Sequence, residues 1–152
     1  MPEWKIHDKW AEEIGVSKEV SNFVNLLIDF PQECPEFLNF CDKEEEGISE
    51  LSKSQQSVIH KSFAQRIGYD SGRRRKTDMH IQLQFLHERG SECVKAWYLH
   101  QILDYNYIKG APILTVEEIL ERIESKTESC QELENVKRFV IYHSSEILQD
   151  CR

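Results

Sequence analysis

His100 and Asp104 stand one helical turn apart in AWYLHQILDY, Ala96 to Tyr105, a stretch that is otherwise almost wholly apolar. A carboxylate in such surroundings must be paired, hydrogen-bonded or protonated, because an isolated buried charge is strongly disfavoured. Asp104 therefore needs a partner. The preceding segment offers His80, Gln84 and His87 at i, i+4 and i+7, and an antiparallel turn at Gly90 would bring His80 level with His100. Two imidazoles and a carboxylate are suitable ligands for zinc, manganese or iron, with coordination positions left for water. The expected metal set is His80, His100 and Asp104, and its chemistry would be metal-assisted cleavage of a phosphoester. The competing reading is a structural hydrogen bond between His100 and Asp104, with His80 and His87 at the surface.

The second chemical feature is GYDSGRRRKTD, Gly68 to Asp78. Tyr69, Asp70, Ser71 and Gly72 have turn chemistry, Arg73, Arg74, Arg75 and Lys76 form a run of cations, and Thr77 suits the N-cap of the helix that follows. A helix N-terminus presents N–H groups without intrahelical partners, and guanidinium groups grip oxyanions in a bidentate fashion. Residues 69–78 therefore read as a site for an anion, either a phosphate-bearing small molecule or an acidic protein segment. A helical binding module of this kind is the leading functional expectation. The metal-dependent hydrolase is the first alternative, and a structural interaction domain, self-associating through an apolar helix face, is the second. The cations also have an intramolecular outlet in Glu44 to Glu46.

The adjacent His7 and Asp8 resemble the two-letter signature of HD-type phosphohydrolases, which are all-α and draw histidine and aspartate ligands from several helices. The resemblance covers these two residues. His7 stands near the chain start, where that family expects a further histidine upstream, and it reads as a partly exposed neighbour of Trp10. A nucleophilic role for Cys93, at a helix start with His87 across the turn, gives way to a small buried side chain.

The positioning elements follow from helical periodicity, since strand-like alternation is almost absent. Trp10 and Ile14 suggest a first helix closed by Gly15. Val20, Phe23, Val24, Leu27 and Ile28 follow the i, i+3, i+4, i+7, i+8 pattern between a Ser17 N-cap and Pro31. Pro35 opens a short helix running into an acidic turn, Asp42 to Gly47, and Ser49 to Gly68 is a further helix. Thr77 to Arg89 and Ser91 to about Ile108 form a central buried hairpin around Gly90. Thr115 to Glu118, TVEE, is a capping box, and Ser129 to Glu132, SCQE, repeats it before a helix reaching Ile147. The expectation is an all-α fold of about seven helices in one domain, residues 1–152.

Composition bounds the partners. The chain is 39% hydrophobic and 30% charged with a formal net charge of −8, which disfavours a broad nucleic-acid surface. Five cysteines, an odd number without a CxxC pair, disfavour a disulfide framework and a structural zinc knot. Reduced thiols, no membrane-spanning run and no secretory leader together suggest a cytoplasmic protein.

Overall fold

The computed structural model describes residues 4–46, 76–105 and 115–151. Among the described residues the chain is all-helical, with eight α-helices, one short 3-10 turn and no strand. No described helix is long and apolar enough to cross a membrane. The helices are α1 (Trp4–Glu13), α2 (Lys18–Asp29), α3 (Pro35–Glu46), α4 (Lys76–Arg89), α5 (Ser91–Tyr105), α6 (Val116–Glu124), α7 (Gln131–Tyr142) and α8 (Ser144–Cys151). The chain divides into two packed units, one of Met1–Asn25 with Gly90–Arg152 and one of Leu26–Arg89.

The first unit is organised around α5. Every residue of this helix from Ala96 to Tyr105 is buried, as expected of a helix that is apolar around its whole circumference. It packs against α1, α6 and α7. Helix α6 directs Val116, Ile119, Leu120 and Ile123 inward, and its start is fixed by the predicted capping box. Glu118 N donates to Thr115 Oγ1 at 3.1 Å, and Thr115 N donates to Glu118 Oε1 at 3.2 Å, so two helix-start donors are satisfied reciprocally.

The expected repeat of that box at Ser129 does not form. Helix α7 begins one residue later than the SCQE pattern implies, with Cys130 at the N-cap and no side-chain cap, so Glu132 misses the third helical position a box requires. The single helix expected through Ile147 is also broken. His143 leaves helical geometry at φ −100° and ψ 15°, and its ring packs on Phe139 and Trp10 with centroids 4.5 and 5.6 Å away.

The second unit holds the end of α2, the 3-10 turn Pro31–Glu33, α3 and α4. Phe37 and Phe40 of α3 each meet the Phe85 ring of α4 at 5.4 Å between centroids, within the range of favourable aromatic pairs. Helix α3 continues through Asp42 to Glu46, where the sequence suggested a turn. The expected helix Ser49 to Gly68 lies outside the described residues.

Local signals hold where they have a mechanism. Gly15 takes φ +93° and Gly90 φ +131°, conformations that side chains other than glycine resist. Ser17 Oγ accepts from Val20 N at 3.3 Å. All five cysteines are free thiols.

Candidate metal centre

Helix α1 carries His7, Trp10 and Ala11 on its buried face, a spacing of i, i+3 and i+4 that a helix turns to one side. Trp10 anchors the helix. Its Nε1 donates to Asp150 Oδ2 of α8 at 3.0 Å, and the Lys9 ammonium joins the same carboxylate. Docking α1 on α5 brings His7 against the polar turn of α5, where His100 and Asp104 project one turn apart.

There the three side chains converge. The imidazoles of His7 and His100 stack with centroids 3.9 Å apart and planes 7° from parallel. His7 Nε2 lies 3.3 Å from Asp104 Oδ1, and His100 Nε2 lies 3.2 Å from Asp104 Oδ2. One ligand atom from each residue can be chosen so that all lie within 4.8 Å of one another. The residues are 3%, 2% and 1% exposed. A charge-assisted N–H···O bond is typically ~2.7–2.9 Å long, whereas metal arms of ~2.0–2.1 Å place tetrahedral ligands ~3.3 Å apart. The two contacts run to different oxygens of the one carboxylate, and the set of three ligand atoms spans up to 4.8 Å, so the ligands would draw closer around a bound ion.

Asn25 of α2 fixes the ring of His100. The Asn25 Oδ1 atom lies 2.7 Å from His100 Nδ1, so the proton of this contact sits on Nδ1. In a neutral imidazole the lone pair then falls on Nε2, the atom facing Asp104. A lone pair set against a carboxylate oxygen requires a cation between them, either a proton on Nε2 or a metal ion. Burial opposes ionisation of Asp104, but the charge and hydrogen bond of His100 and then those of His7 outweigh it and hold the carboxyl below the usual carboxylate range. The centre is thus an anion between two imidazole edges.

The described centre differs from the expected set in one member. His100 and Asp104 come together as anticipated, while His80 is exposed on α4 and is absent from the convergent group. Its place is taken by His7, which is buried rather than partly exposed. His80 and His87 of the polar stripe are exposed and Gln84 is half-buried, whereas the neighbouring apolar residues Met79, Leu83 and Leu86 are buried. Cys93 is also buried. Tyr69, Asp70, Arg73, Arg74 and Arg75 lie outside the described residues. Lys76 and Thr77 are the first residues of α4, so Thr77 falls inside the helix rather than at its cap.

Comparison with known protein families, curated proteins and solved structures returned no match.

Proposed function

We propose that this chain binds a divalent metal ion, zinc, manganese or iron, through His7, His100 and Asp104, and that the bound ion serves metal-dependent hydrolysis of a phosphoester. The supporting observation is the convergence of two imidazole Nε2 atoms on one buried carboxylate, with the ring of His100 oriented by Asn25 at Nδ1. Nitrogen and oxygen donors of this kind suit these three metals. Three protein ligands leave at least one position for water, whose acidity the metal would raise toward neutral pH. The run Arg73 to Lys76 supports the phosphoester part through its charge alone; the same run keeps anion binding through residues 69–78 as a reading carried by the sequence.

The test is elemental analysis of untagged protein purified without chelator, comparing wild type with His7→Ala and Asp104→Asn, followed by assay of wild type on a chromogenic phosphodiester. Near-stoichiometric metal lost in both variants, with turnover that chelator abolishes, is the expected result. Wild type that takes up none of the three metals on dialysis against them would overturn the reading and leave a structural ion-paired network. Metal without turnover would retain binding and remove hydrolysis.

A further inference from the structure

We propose that Asp8 is a positioning residue for the metal centre: by fixing which way round the buried Asn25 amide sits, it selects the nitrogen that His100 offers to a cation. The inference rests on the metal-binding reading of His7, His100 and Asp104.

The two ends of an asparagine amide have nearly the same shape and opposite hydrogen-bond character. Asn25 is 2% exposed and presents its oxygen to His100 Nδ1 at 2.7 Å. If the amide were reversed, its NH2 group would face Nδ1, the ring proton would move to Nε2, and His100 would donate to Asp104. That arrangement closes the pair with a hydrogen bond and removes the lone pair that a metal needs. His100 alone does not choose between the two states, because its neutral ring accommodates either tautomer.

The choice is made at the other end of the amide. Asn25 Nδ2 donates to Asp8 Oδ1 at 3.2 Å. A carboxylate offers acceptors, so a reversed Asn25 would set oxygen against oxygen. Asp8 is itself held from α2, since Ser21 Oγ donates to Oδ1 at 2.6 Å. Helix α1 thus supplies a ligand in His7 and, at the next residue, the group that orients the opposite ligand through α2. Partners of this outer kind fix the tautomer and ring orientation of metal-binding histidines. Asp8 also borders a surface cleft of 560 Å³ beside Lys5, Lys9 and Lys18, so an isosteric change there does not open the core.

Two variants test the inference. In Asp8→Asn either end of the new amide can face Asn25, and the constraint is lost. In the swap Asp8→Asn with Asn25→Asp, the new carboxylate at 25 accepts from His100 Nδ1 without help. Zinc affinity, measured by chelator competition, is expected to fall roughly 10- to 100-fold in the single variant and to return to within a few-fold of wild type in the swap. Long-range ¹H–¹⁵N spectra of metal-free protein are expected to show a proton on His100 Nδ1 in wild type and in the swap, and a population with a bare Nδ1 in Asp8→Asn. Unchanged zinc affinity in a folded Asp8→Asn protein, or a bare Nδ1 in wild type, would overturn the proposal. If wild type binds no metal the reading beneath it falls, and the spectra alone still decide whether Asp8 sets the tautomer.

Discussion

His7 and His100 lie face to face, 3.9 Å between ring centroids, and both turn their Nε2 edges toward the single carboxylate of Asp104. Two imidazolium ions stacked this closely would repel one another. One neutral ring, or a metal ion shared by two neutral rings, relieves that repulsion while keeping both edges on the carboxylate. The stack therefore disfavours protonation of both rings at once.

Replacing the histidines separates the described centre from the set expected from sequence. His7→Ala should abolish metal binding, whereas His80→Ala should leave it unchanged, as measured by metal content after dialysis against zinc. Metal loss on His80→Ala with retention on His7→Ala would reverse the assignment.

Asp104→Asn tests the carboxylate in both roles. Without metal, the variant leaves two buried imidazoles facing a neutral amide, and breaking a buried pair of this type costs about 3–5 kcal/mol. Urea denaturation in chelator should show that loss, and zinc should raise the midpoint of wild type but not that of the variant.

Tyr98 gives a pH prediction. Burial raises its pKa, the hydrogen bond to Thr127 opposes this, and Cys130 adds to the rise, with a net upward shift. The folded state therefore holds the phenol proton more tightly than the unfolded chain does, and stability should fall as pH rises through the unfolded value of about 10. Ultraviolet titration at 295 nm should show one tyrosine ionising later than the rest, and Tyr98→Phe should remove this late step.

Thr115→Ala removes the side-chain half of the capping box at α6, at an expected cost of ~1 kcal/mol. Denaturant midpoints should fall accordingly, while metal affinity should not move because α6 contributes no ligand. A change in affinity would tie α6 to the centre.

The parts of this architecture legible in sequence are those with a local physical cause. Thr115 and Glu118 announce α6 through hydrogen bonds between near neighbours, and Gly15 and Gly90 mark the backbone turns that glycine permits. The apolar circumference of α5 identified a buried helix, and the depth of Asp104 implied a partner. The identity of that partner was not local. His7 and His80 were both plausible by type, and the choice depended on which helix docks against α5. One signal did exist: His7 shares the i, i+3, i+4 stripe of Trp10 and Ala11, and a histidine in a stripe of that kind is carried inward with it. The shifted start of α7 and the break at His143 had no glycine or proline to announce them. In both places tertiary packing overrode the local pattern.

The Trp10 to Asp150 hydrogen bond ties the first described helix to the last. Because α1 also carries His7 and Asp8, this clasp holds the helix that would deliver one ligand of the proposed centre and orient another. Metal retention would then report on whether the chain has closed on itself: weakening Asp150 should loosen the ion before the α5 ligands are disturbed, so that release marks the lifting of α1 and precedes loss of the remaining helices.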